Sequence, residues 1–240
     1  MSTMTRISDA TDRISLRRRK GRRRLWLRVG IIAAVAALLG AGGWLVFGSP
    51  VLAVRDVAIS GVKVATPEDV RGLAEVPIGL PLAQVDLDAI AARVSGLPPV
   101  RSVRVLRSWP NTISIEVTER TALYAIETPG GYWIADEQGV IFRSDTEPGK
   151  LVVASVPSGD PRLIRDLGTV LGALPGDLRG RVRQISAATA DSITLKLSGG
   201  LTIVWGSAEA SELKAQVIVP LLKQKGKEYD VSAPSNPTVR

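Results

Sequence analysis

Neither cysteine nor histidine occurs among the 240 residues. Without cysteine no disulfide can staple an exported region, so such a region must fold on its own core. The two absences together exclude the common zinc sites built from histidine and cysteine, and hydrolysis by a serine or cysteine activated by a histidine base. Net charge is also missing from most of the chain. Residues 1–28 hold 10 basic and 2 acidic side chains, which is the entire net charge of +8, and the other 212 residues balance at 21 against 21. A nucleic-acid-binding domain normally carries its basic surface on the folded part, because phosphate neutralisation supplies most of the affinity. No specific nucleic-acid partner is therefore expected. There is no internal repeat, and the basic tail is the one low-complexity segment.

A third absence concerns Val29 to Phe47, 19 residues without a charge. As a helix they extend about 28 Å, close to the hydrocarbon thickness of a bilayer. The pattern predicts a transmembrane helix over residues 25–47, in contact with membrane lipid, with Trp26 and Trp44 near the two interfaces. Immediately before it stand Arg17, Arg18, Arg19, Lys20, Arg22, Arg23 and Arg24. Such an excess holds its own side of the span in the cytoplasm, so these residues are assigned to membrane orientation, and everything beyond about residue 48 is expected across the membrane. A cleaved signal peptide is the alternative, and Val51-Leu52-Ala53 resembles a cleavage site. The apolar stretch exceeds the roughly 7 to 15 residues of a signal core, which favours a retained anchor. Residues 1–24, rich in Ser, Thr and Arg, read as a disordered basic tail.

Beyond the anchor, the order of signals is α+β. Val54 to Ile59 reads as a strand. Thr66-Pro67-Glu68-Asp69 opens a short helix burying Val70, Leu73 and Ala74, and Asp86 caps a second, with Ile90 and Val94 in its apolar face. Val100 to Arg120 reads as a hairpin about Trp109-Pro110-Asn111, in which Ile113, Ile115 and Val117 alternate with polar residues. Facing apolar residues together sets Val105 opposite Ile115 and Arg104 across from Glu116. Short strands then follow around the turn Asp136-Glu137-Gln138-Gly139, with a helix from Asp160-Pro161 carrying Leu163, Leu167, Val170, Leu171 and Leu174 in one stripe. Three more strands precede a helix expected to be capped by Ser207, with Leu213, Val217, Leu221 and Leu222 facing the core and Pro220 kinking its last turns. A short strand at about Glu228 to Ser232 comes last, with an apolar face of Tyr229 and Val231.

These strings and their order resemble the FtsQ/DivIB family of bacterial cell-division proteins. The resemblance is carried by VRDVAISGV, LPPVRSVRVLRSWPNTISIEVTER, WIADEQGVIF, LTIVWGSAEASELKAQVIVPLLK and YDVSAP. It implies a βααββ POTRA domain over 54–120, an FtsQ-type β-domain of mixed and antiparallel strands with two helices over 121–233, and a flexible end at 234–240. It also implies a non-enzymatic scaffold at the division septum, without a cofactor, metal site or small-molecule substrate. Its partners would be single-pass division proteins like FtsB/DivIC and FtsL, and through them the septal peptidoglycan synthase. In the family a partner adds along the last strand of the β-domain, here Glu228, Tyr229, Asp230, Val231 and Ser232. A short edge strand leaves one row of backbone groups free for such pairing.

Rival readings rest on fewer residues. A membrane-anchored wall hydrolase would use acid pairs such as Asp86/Asp88 or Asp136/Glu137, which stand where helix caps and hairpin turns also want acids. A different POTRA-bearing assembly factor would need a barrel for which the chain lacks length. Trp109 reads as a packing residue beside its turn, and Trp205 as core.

Overall fold

The computed structural model describes residues 8–240, with side chains from Trp26 onward except Ser158. It opens with α1, Ser8–Gly48. Within it, Trp26–Gly48 is long and apolar enough to cross a membrane. Ile31, Ile32, Val35, Leu38 and Leu39 are all exposed along this stretch, as are Trp26 and Trp44. The tail expected to be disordered differs over residues 8–24, which continue the helix: Arg, Lys and Leu are good helix formers and no proline interrupts them. Residues 1–7, and the side chains of the seven residues assigned to membrane orientation, lie outside the described part.

Next comes the βααββ unit, with β1 (Asp56–Ser60), α2 (Pro67–Ala74), α3 (Leu87–Ser95), β2 (Val100–Ser108) and β3 (Thr112–Glu119). Its sheet has the order β1-β3-β2. The caps fall where acids and hydroxyls predicted them: the Asp69 amide donates to Thr66 Oγ1 and the Ala89 amide to Asp86 Oδ1. Val105, Ile113, Ile115 and Val117 are buried, and Arg104 lies 3.7 Å from Glu116, as the proposed pairing requires. Two expectations fail here. Leu73 is exposed although Val70 and Ala74 are buried, because it lies off the narrow buried stripe of an eight-residue helix. Trp109 is 52% exposed, since the hairpin tip carries it past the strand ends. Gly61 takes a φ of +85°, and a Cβ there would stand 1.9 Å from the Val117 carbonyl oxygen, so only glycine fits this close crossing.

Glu119 organises the loop after β1. Its carboxylate accepts the backbone amides of Lys63, Val64 and Ala65 at 2.9 to 3.0 Å. Burial pushes its pKa up, but the three amides and the Lys63 charge outweigh that and hold it below the ordinary value of 4.5. A depressed folded-state value contributes stability that is present above 4.5 and is lost as pH falls through the folded value. Glu119→Gln should therefore show a flatter dependence of unfolding midpoint on pH below 4.5 than the wild type, measured by circular dichroism along an acid series. An unchanged slope would remove the carboxylate from the acid response.

The remaining chain builds a nine-stranded sheet of order β12-β11-β10-β9-β8-β7-β4-β5-β6. Its strands are β4 (Tyr124–Thr128), β5 (Gly131–Ala135), β6 (Ile141–Asp145), β7 (Val152–Ser155), β8 (Val182–Ala187), β9 (Ile193–Leu197), β10 (Thr202–Gly206), β11 (Glu228–Asp230) and β12 (Thr238–Val239). Helices α4 (Pro161–Ala173) and α5 (Gly176–Arg179) carry the chain from β7 to its parallel neighbour β8, and α6 (Ser211–Leu221) carries it from β10 to parallel β11. One face of the sheet shares a core with α4 and α6, in which Leu163, Leu167, Val170, Leu171 and Leu174 are buried as the stripe predicted. The other face holds the small cluster Ala125, Ile134 and Phe142 at one end, and along β8 and β9 buried residues alternate with more exposed ones. At the far edge, β6 is irregular: its register against β5 shifts by a bulge, and Arg143 pairs with Asp145 at 2.8 Å.

Candidate functional site

The candidate site is β11, next to the last strand at one border of this sheet. Lys227 to Asp230 reaches it because α6 returns the chain beside β10, giving the parallel pairs Thr202↔Glu228, Ile203↔Tyr229 and Val204↔Asp230. The Thr202 amide donates to the Lys227 carbonyl at 2.8 Å and the Val231 amide to the Val204 carbonyl at 2.9 Å. Lys227 O and Val231 N thus face β10. Alternation along the strand leaves the N–H and C=O of Glu228 and Asp230 on the outer side.

The side chains divide by the same alternation. Tyr229 and Val231 are buried in the main core, and the Tyr229 hydroxyl sits 2.8 Å from the Gln224 carbonyl. Asp230 Oδ1 accepts both the Ser232 amide at 2.9 Å and the Ser232 hydroxyl at 2.7 Å. Of the five residues assigned to partner binding, Glu228, Asp230 and Ser232 therefore have side chains outside the core, while those of Tyr229 and Val231 lie within it.

The outer row is not free, contrary to expectation. Thr238–Val239 forms β12 antiparallel to β11, with Tyr229↔Val239 and Asp230↔Thr238 as partners. The Arg240 carbonyl accepts from Lys227 N at 2.7 Å and Glu228 N at 3.0 Å, and Arg240 N donates to the Glu228 carbonyl at 2.9 Å. The end expected to be flexible over 234–240 therefore contains a strand. Its β-branched Thr-Val pair suits a pleated edge, and the preceding Pro237 favours extended backbone before it.

Support for the edge comes from a residue that pattern reading missed. Lys214 is buried in α6, and its Nζ donates to the carbonyls of Trp205 at 3.0 Å and Ser207 at 2.8 Å. Burial lowers its pKa, opposed by the charges of Glu209, Asp191 and Asp230. The contact ties α6 to the end of β10, the strand on which β11 pairs. Beside it, the Trp205 indole N–H donates to Ser211 Oγ at 3.1 Å, and that hydroxyl to the Ala208 carbonyl at 2.7 Å. Two expectations about α6 are corrected here. Ser207 is not its cap, since the helix begins at Ser211 after Ala210 in the left-handed region. Its buried residues are Ser211, Lys214, Ala215, Ile218 and Leu221, and Leu213 is exposed. The helix runs through Pro220 and stops one residue later.

One acid of each pair is employed in local structure. Asp86 caps α3, and Asp136 is buried against Arg120, 2.6 Å from its Nη1, while its Oδ1 accepts the amides of Gln138 and Val140 at 2.9 Å.

Comparison with known proteins matches residues 52–120 to the POTRA domain, FtsQ-type, and residues 124–233 to the C-terminal region of cell division protein FtsQ/DivIB. Cell division protein FtsQ of Streptomyces venezuelae is 40% identical over 247 residues, covering 96% of this chain and 90% of that protein. The protein of the same name from Streptomyces bingchenggensis is 39% identical, covering 92% of this chain and 90% of its own length. That from Streptomyces collinus is 35% identical, with 90% and 89% covered. With both halves matched in order, and relatives aligned along nearly their whole length, the apolar helix, the βααββ unit and the large mixed sheet make this chain a member of the FtsQ/DivIB family of cell-division proteins.

Proposed function

We propose that this chain is a non-enzymatic, single-pass scaffold of the bacterial division machinery, linking early and late division proteins at the septum. The basic run from Arg17 to Arg24 holds the N-terminus in the cytoplasm, and the two folded units work on the outer side of the membrane. The scaffold recruits FtsB/DivIC-like and FtsL-like single-pass partners, and through them governs septal peptidoglycan synthesis. Docking uses β11, where a partner segment adds as a further strand and main-chain hydrogen bonds supply the affinity.

One observation carries this reading: a two-residue strand already pairs with the outer row of β11, so that row has the geometry to accept an extended segment. Asp230→Pro tests it selectively. The substitution deletes an outward N–H and leaves the ladder to β10 intact, a placement that sheets tolerate for proline. Capture of a purified FtsB/DivIC-like extracytoplasmic segment by the full chain in nanodiscs should fall at least about ten-fold, with the thermal transition little changed. Undiminished capture by the folded variant would refute the edge as docking site.

A further inference from the structure

The strand that occupies the edge carries more information than the edge itself. Val239 lies over the core beside Tyr229, and Gly226 makes room for it: a Cβ on Gly226 would stand 2.3 Å from Val239 Cγ1 and 3.0 Å from the Arg240 carbonyl oxygen. The seat is thus shaped for a β-branched side chain. Arg240 stands 3.7 Å from Glu228, so the position facing Glu228 takes a cation. Yet the holding is slight. β12 has two residues, Thr238 is exposed, and the Arg240 carbonyl is shared between two donors. A longer strand in the same place would make all of these bonds and continue past Asp230 toward Ser232.

We infer that the outer edge of β11 is a competition site: the chain's own Thr238–Val239 holds it at rest, and an extended antiparallel segment of a partner displaces it. The partner segment presents an apolar β-branched residue opposite Tyr229 and a basic residue opposite Glu228. This rests on the edge reading proposed above and adds the competitor, the strand direction and the side-chain pattern of the partner.

The absence of cysteine makes the test clean, because the double variant Asp230→Cys with Thr238→Cys holds the chain's only thiols. These residues face each other across the antiparallel pair, where Cα atoms about 5.5 Å apart suit a disulfide. The full-length variant in nanodiscs, oxidised, should capture the FtsB/DivIC-like segment at least about ten-fold less than the same protein after reduction. A chain shortened to end at Pro237 should bind about ten-fold more tightly than the wild type, because the competent state is no longer shared with β12. Faster hydrogen exchange at Glu228 N–H in the shortened chain is expected alongside. Equal capture by oxidised and reduced protein, or unchanged affinity on shortening, overturns the competition. If Asp230→Pro still abolishes capture, only the competition is lost. If it too is without effect, the edge reading falls with it.

Discussion

Asp136→Ala is expected to lower the unfolding free energy of the region after the membrane-type helix by about 3 to 5 kcal/mol, read from urea denaturation. The carboxylate is 4% exposed and the Arg120 side chain 16%, so the pair is barely screened by water. Its two oxygens serve different masters. One faces Arg120 at 2.6 Å, and the other accepts the amides of Gln138 and Val140 that close the β5–β6 turn. Alanine strips both and leaves a guanidinium with its charge uncompensated, whose Nε already lacks a partner among the described residues. The stranded charge accounts for most of the loss. Asp136→Ala combined with Arg120→Met should therefore be more stable than Asp136→Ala alone, a sign that a purely turn-centred role for Asp136 does not produce. If the double variant is the less stable, the turn bonds carry the site and the ion pair is incidental.

Trp205→Ala is expected to cost a similar amount, about 3 to 5 kcal/mol, with a fall in Tm on the order of 10 to 20 °C. Trp205 is fully buried in the large core and is the bulkiest side chain there. Removal opens a cavity between β10 and α6 and leaves Ser211 without the indole donor. Trp205→Phe keeps most of the apolar area and should lose clearly less than alanine. Because β11 pairs on β10, the alanine variant should also lose partner capture at temperatures where the phenylalanine variant keeps it. Equal losses from the two substitutions would place the stabilisation in the indole hydrogen bond and not in the filled volume.

Elements with one dominant period were legible in the sequence. The stripe of α4 and the alternation of Ile113, Ile115 and Val117 each admit one phase, and burial follows it. Tyr229 and Val231 were legible for the same reason. Helix α6 was not, because apolar residues at 213, 215, 217, 218, 219, 221 and 222 lie on every side of it. The decision fell to Lys214, whose ammonium satisfies two carbonyls at the end of β10, an arrangement visible only once β10 is in place. Ser207 resembled a cap because small polar residues start helices, but the chain makes a further turn before α6 begins. The occupant of the candidate site escaped notice for a different reason. Two residues carry no periodicity, and Pro234-Ser235-Asn236-Pro237 reads as an unstructured approach to them.

The irregular strand at the opposite border of the sheet sets a ceiling on assembly. β6 turns a bulge and an Arg143–Asp145 pair toward the one other place where a strand could join. Lengthening of this sheet is thereby directed to its other end, at β11 and β12. A bare, regular strand at that border would be a template for unwanted pairing between copies, and a kinked one carrying paired charges is a poor template.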